Sequence, residues 1–430
     1  MELTDDSTDQ EVATGISRRS FVKTGAAVSL AAIGVAAATN LVGCDDDEDE
    51  GDDSNTLLPP VAGEVPDTIA VTADQIVKVT DFQELPLYEY LEEVNSFSLP
   101  FGTVVHQINP TQALALVPCT EGPNLISINL LNLEWGNYHP LISQAVGATR
   151  GSPNVILYSC RASSSLLVWT ELDIGTFGWQ VYMAAISEEV LGQPWLLDEG
   201  TLDYEVPLLA VADNKAYWTV MPNPDGPARY EDSYLKAAVL NQRMPWIVHT
   251  SHGRMITTPL VSEGVLTFAP RVDTKNIYYQ LTALSVADDR LLDYIVMPQS
   301  MRIYEAIYTE NGFCFSVEDS YSYADGLGSY GTYMPLADGQ SWLHLYRKPT
   351  AAPLLLGEQL VLKSATRVIG IDASRNGYYT ISPVADSLNY GDTLAACGRQ
   401  PNLVVYSNVR SNTILAVPEC VLRVYVPVTW

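Results

Sequence analysis

The residues able to do acid–base or metal chemistry are few. There are five histidines: His106, His139, His249, His252 and His344. Only His249 and His252 stand close together, in His-Thr-Ser-His. That spacing would put both rings on one face of a helix, but the stretch follows a strand-like run. It reads as a loop carrying ordinary turn or surface histidines, and no metal is expected. After Cys44 come Cys119, Cys160, Cys314, Cys397 and Cys420, an odd number without a C-x-x-C pair. Most sit in apolar runs such as VILYSC, so they read as buried thiols rather than a disulfide framework. No G-x-S-x-G elbow, phosphate loop or dinucleotide fingerprint occurs, and no cofactor is expected. Catalytic residues stay unassigned, because carboxylates that pair across repeats leave no local signature.

Three loops offer recognition chemistry instead. Residues 317–334, VEDSYSYADGLGSYGTYM, carry Tyr321, Tyr323, Tyr330 and Tyr333 among Ser, Gly and Asp. Rigid amphipathic rings with small adaptable polar neighbours suit binding, and tyrosine faces suit sugar rings. The alternative is an insertion whose tyrosines fold back on their own sheet. Residues 222–233 add Arg229 and Tyr230. Residues 171–179, ELDIGTFGW, resemble the Asp-box of sialidases through Asp173 and Gly175. They depart from it by Glu171 in the Ser/Thr position and by Trp179 one residue late. The plain reading of that stretch is a glycine-containing turn beside a buried tryptophan.

The elements that must position these loops are short. Apolar runs rich in Val, Leu, Tyr and Trp recur between Gly, Pro, Asn and Asp turns, as in NVILYSC, LLVWTEL and WQVYMAAI. They group as strand, tight turn, strand, longer loop, strand and a weaker fourth strand. The groups start near residues 102, 153, 206, 257, 303, 353 and 392. A period of roughly 40–50 residues is that of four-stranded propeller blades. The rhythm resembles the WD40-like, YVTN and TolB-like β-propellers, and the fold class expected is an all-β propeller, most simply of seven blades, over residues 66–430. A pair of face-packed sheets is the alternative. The three loops fall between second and third strands, so they would emerge on one face, around the mouth of the central channel. Residues 83–97 are the best helical stretch, and residues 74–82 are expected to pair with 420–428 to close the ring.

The first residues read as an address. Ser17-Arg18-Arg19-Ser20-Phe21-Val22-Lys23 precedes an uncharged Ala-rich run that ends in Leu41-Val42-Gly43-Cys44. The stretch resembles a twin-arginine (Tat) signal peptide with a lipobox over residues 1–43. That resemblance implies export of a folded chain through Arg18, Arg19 and Phe21, and lipidation of Cys44. It also implies anchoring on the outer face of the cytoplasmic membrane. Residues 45–53 hold eight acids in nine positions, a self-repelling run that makes 44–65 an expected disordered tether. Residues 54–430 still carry a balance of −18. Such a surface lacks the basic footprint of nucleic-acid binding. The expectation is a membrane-tethered binding or scaffold protein for a protein or glycan ligand. A carbohydrate-active hydrolase or lyase is the alternative.

Overall fold

The computed structural model describes residues 60–119, 125–149, 152–242, 244–318, 326–328, 330–388, 391–410 and 417–428. Arg18, Arg19, Phe21, Cys44, Tyr321 and Tyr323 lie outside them. Within the unit that starts at Leu57, the described strands form seven small sheets. Six are successive along the chain: residues 104–142, 155–200, 209–251, 260–296, 303–345 and 354–381 form blades 1 to 6. Each is an antiparallel meander of strands A to D. First strands of neighbouring blades approach one another at the centre. The chain is a β-propeller, and its blade starts fall within about three residues of the periodic groups in the sequence.

The reason such sheets must stack is visible in their burial. Strand B of blade 2, Leu166–Asp173, is buried at every position except its last. A strand covered on both faces carries a continuous apolar run rather than an alternating one. Leu172, Trp179 and Val181 of blade 2 share a cluster with Leu209, Trp218 and Ala238 of blade 3, and similar clusters fill other seams between blades. Polar clasps reinforce them. The Asp198 carboxylate at the edge of blade 2 accepts Trp218 Nε1 at 2.8 Å and pairs with Lys236 of blade 3 at 2.9 Å. Asp289 of blade 4 likewise accepts Lys215 at 2.6 Å, the Tyr217 hydroxyl and Trp246 Nε1 of blade 3.

Blade 7 closes the ring with strands from both ends of the described chain. Glu419–Pro427 pairs on one side with Leu403–Val409 and on the other, antiparallel, with Leu91–Pro100. The sequence expectation that residues 74–82 would make this closure is therefore corrected. Ile76–Lys78 instead runs parallel along the outer edge of blade 5, beside Trp342–Leu345. The helix expected over 83–97 is also absent; that stretch holds a single 3-10 turn, Leu87–Glu89, and most of the closing strand. A register shift between Glu93 and Asn95 explains the misreading. It breaks the two-residue alternation and leaves Leu87, Leu91 and Val94 at a helix-like spacing.

The axis of the propeller is crossed by residues 395–402. Ala395 O accepts from Gln107 N of blade 1, while Gly398–Gln400 lies parallel to Leu354–Leu356 of blade 6. Arg399 reaches blade 4, taking Ser262 Oγ on its backbone N–H at 3.0 Å and Glu263 on its guanidinium at 2.8 Å. A segment that touches blades 1, 4 and 6 at once must pass through the centre of the ring. It occupies the end of the channel where the A–B turns lie. The opposite end, framed by B–C loops and the connections between blades, is the B–C face.

Candidate functional site

The B–C loop of blade 3 runs between Val220 and Ser233 and is folded into turns. Gly226 N bonds Asn223 O, Arg229 N bonds Gly226 O and Glu231 N bonds Ala228 O. Ala228 is buried beneath it. Tyr204, from the connection between blades 2 and 3, donates its hydroxyl to Glu231 at 2.7 Å. That hydrogen bond is the main cause that pushes the phenol up to about 12. Arg254, from the next connection, donates to Pro222 O and pairs with Glu205 at 2.8 Å. The loop is thus held at its base from both sides. At its tip Tyr230 is 83% exposed, with the Arg229 guanidinium 4.7 Å from the ring centroid.

Blade 4 completes this part of the face. His252 lies 3.8 Å from Asp232 and 3.9 Å from Asp273, all three substantially exposed. Arg271 enters the B–C loop of blade 4, with its backbone N–H held by Ser251 Oγ at 2.8 Å. Its side-chain Nε is buried without a hydrogen-bond partner, and none of the described carboxylates pairs with its guanidinium. In a domain with nearly twice as many acids as bases, a half-buried arginine without a paired carboxylate is unusual, and its guanidinium has the chemistry to pair with an anion. His249 does not join His252. Its ring is half-buried, edge-on to Phe268 at 5.1 Å, and burial pushes its pKa down to about 4. Among the described residues, no group of three His, Cys, Asp or Glu side chains is spaced to hold a metal. The five described cysteines are free thiols. Burial pushes Cys314 and Cys420 up to about 12, far from a nucleophile's range.

The residues singled out from the sequence divide. Asp173 caps its own turn, accepting Gly175 N at 2.8 Å and Thr176 N at 3.2 Å. Trp179 is a core residue, 2% exposed. It lies opposite Gly200 in register, so close that a Cβ on Gly200 would sit 2.2 Å from the indole. Trp179 Nε1 donates to Tyr204 O, which ties the 174–178 turn to the Arg229–Tyr230 loop next door. Glu171 also serves the core: its carboxylate accepts Val146 N, Gly147 N and Trp169 Nε1. Tyr333 is fully buried, stacked between Phe315 and His344, with its hydroxyl accepting Gly328 N at 2.8 Å. As a ligand-facing ring it is corrected to a core one, because strand C of blade 5 already begins at Gly331. Tyr330 is half-buried at the start of that strand, and blade 4 separates it from the blade 3 loop.

Sequence reading missed Tyr204, Glu205, His252 with its two aspartates, Arg254 and Arg271 as one constellation. A usable signal existed. Residues about one blade period apart, such as Glu205 and Arg254, occupy equivalent connections and become neighbours across a seam.

No family model matches the sequence, and no curated protein does. Solved structures share the fold. A puromycin hydrolase is 11% identical with a TM-score of 0.50, over 74% of this chain and 51% of that one. A prolyl endopeptidase is 10% identical with a TM-score of 0.47, over 77% of this chain and 46% of that one. The chain thus spans about half the length of these two enzymes. The propeller domain of the Trilobed protease from Pyrococcus furiosus is 11% identical with a TM-score of 0.40, over 59% of this chain and 78% of that one. At these identities the likeness concerns the propeller alone.

Proposed function

We propose that this propeller is an exported lipoprotein that binds a protein or a glycan through the B–C face of blades 2 to 4. The observation that carries the reading is the Arg229–Tyr230 pair, exposed on a loop whose base is pinned by Tyr204, Glu231, Arg254 and Pro222. A large ring on a preorganised loop loses little entropy on binding, which is the economy of binding hot spots. Arg271 stands beside it as an unneutralised cation for a carboxylate or similar anion on the ligand. The Tat-type leader and Cys44 supply the expected route and anchor; two or more acyl chains hold a protein stably where one does not.

The test is a glycan-array and pull-down screen with a chain that starts at residue 54, repeated with Tyr230→Ala and Arg271→Ala. Both variants should weaken whatever ligand is found, while melting temperature stays unchanged. Affinity unaffected by either change would remove this face from the account.

A second reading, a carbohydrate-active hydrolase or lyase, draws on Asp232, His252 and Asp273. Two carboxylates beside a histidine are acid–base material. Their exposure argues for the binding reading, since catalytic groups work best where water is excluded. Turnover of a polysaccharide that is lost in Asp232→Asn and Asp273→Asn would favour the enzyme.

A further inference from the structure

Residues 60–100 form a strap around the outside of the propeller. Gly63 N–H donates to Asp273 O in the B–C loop of blade 4, and Ile69 N–H to Val296 O at the top of that blade's last strand. Val71 O accepts Gly326 N from the B–C side of blade 5, and Val71 itself is fully buried with Ile69 packed beside it. After that the chain lies along blade 5 through Ile76–Lys78 and along blade 6 through Gln83–Glu84. It enters blade 7 as Leu91–Pro100. Val79, Tyr90 and Leu91 are buried in the seams it crosses, and Glu89 pairs with Arg375 at 2.8 Å. The three hydrogen bonds at Gly63, Ile69 and Val71 all lie on the B–C face. The described strap therefore begins on that face, at blade 4, beside Asp273 and one blade from Tyr230.

We infer that the anchored molecule holds its B–C face toward the bilayer, and that its partner is the extracytoplasmic surface of a protein embedded in the same membrane. This rests on the lipoprotein reading. The 15 residues between Cys44 and Pro60 let those two positions lie at most roughly 55 Å apart. The root-mean-square reach of a flexible chain of that length is only about 20–25 Å, somewhat more for a charged one. Turning the opposite face to the bilayer would require the tether to run past the height of a blade, roughly 25 Å for strands of seven or eight residues. The B–C face carries exposed apolar side chains on its loops and connections: Phe101, Ile174, Leu202, Tyr230, Ile277 and Tyr346. Single apolar groups set among charges suit a protein interface with an apolar centre and a polar rim. A bare anionic bilayer is a poor occupant, because the domain balance is −18 and the tether adds eight acids. Charge complementarity asks for a basic rim on the partner.

The test uses the full lipidated chain on vesicles of phosphatidylcholine and phosphatidylglycerol that carry an energy acceptor on their headgroups. A donor is attached at Tyr230→Cys on the B–C face or at Met244→Cys on the opposite face, with the unsubstituted chain as the labelling control. Transfer from position 230 should exceed that from 244 at least twofold; equal or reversed transfer overturns the orientation. Protein that fails to float with the vesicles removes the lipoprotein reading and this inference together, a result distinct from reversed transfer. Quenching of the position-230 donor by brominated acyl chains would make the bilayer itself the occupant and overturn the partner assignment. In native membranes, a photoreactive residue at 230 should join the chain to a protein that stays in the bilayer after alkaline washing. Adducts only with alkali-soluble proteins would overturn it.

Discussion

At the residue scale a few side chains have surroundings that differ from what their spacing suggested. Tyr230 is the clearest. Truncation to Ala should cost roughly 2 kcal/mol of binding, about a 30-fold loss, as buried interface tyrosines do. Titration calorimetry against the ligand found by screening would measure it. His249 gives a pH prediction. Its pKa is pushed down to about 4 by burial, with the neighbouring charge of His252 adding to the effect, against about 6.5 in an unfolded chain. The unfolded state therefore takes up the proton first. This contribution to stability is complete above about pH 6.5 and is lost as pH falls toward 4, by on the order of 2 kcal/mol for a half-buried ring. Denaturant melts at pH 7 and pH 4.5 should show that loss, and His249→Gln should flatten it. The sequence revealed Trp179 as buried and the 173–178 stretch as a turn, because Asp173 and Gly175 act locally. It left open whether Tyr333 faces a ligand or folds back on its sheet, since a tyrosine at the start of a strand looks the same as one in the preceding loop.

At the scale of elements the blade rhythm was legible because each strand pairs with its chain neighbour. Strand, tight turn and strand leave a local pattern, so the blade starts could be read to within a few residues. What could not be read was every pairing made at a distance: the parallel edge strands at 76–78 and 83–84, the closure by Leu91–Pro100, and the 395–402 crossing. A bulge at Glu93–Asn95 disguised the closing strand as a helix. The seam clasps belong to this scale. Removing the Asp289 carboxylate leaves the Lys215 ammonium, only 8% exposed, facing Tyr217 and Trp246 without its anion. Asp289→Ala should therefore destabilise the propeller by roughly 3 kcal/mol, read as a lower urea midpoint. Restoring a small hydrogen-bond acceptor in Asp289→Asn should recover part of it. Gly331 offers a backbone counterpart. Its φ is +142°, and a Cβ there would meet His344 Nε2 at 2.4 Å. Gly331→Ala should lower the melting temperature by several degrees through displacement of the His344–Tyr333 stack.

At the scale of the whole molecule, two devices turn a ring of weakly independent sheets into one body. The closure pairs both ends of the described chain in blade 7, and Arg399 binds the A–B turns of blades 4 and 6 across the axis through Glu263 and Gly357. Arg399→Ala should increase hydrogen exchange in the first strands of blades 4 and 6 and leave the outer strands unchanged. With that end of the channel crossed by protein, the proposed recognition surface is the B–C face, where the pinned loop, the unpaired Arg271 and the start of the described strap lie. The most direct measurement is a photocrosslinking scan in intact cells, with reactive side chains placed at Leu202, Tyr230 and Ile277 on that face and at Trp195 and Met244 on the other. A shared, discrete adduct is expected from the first three positions and none from the last two. Adducts confined to Trp195 and Met244 would contradict it.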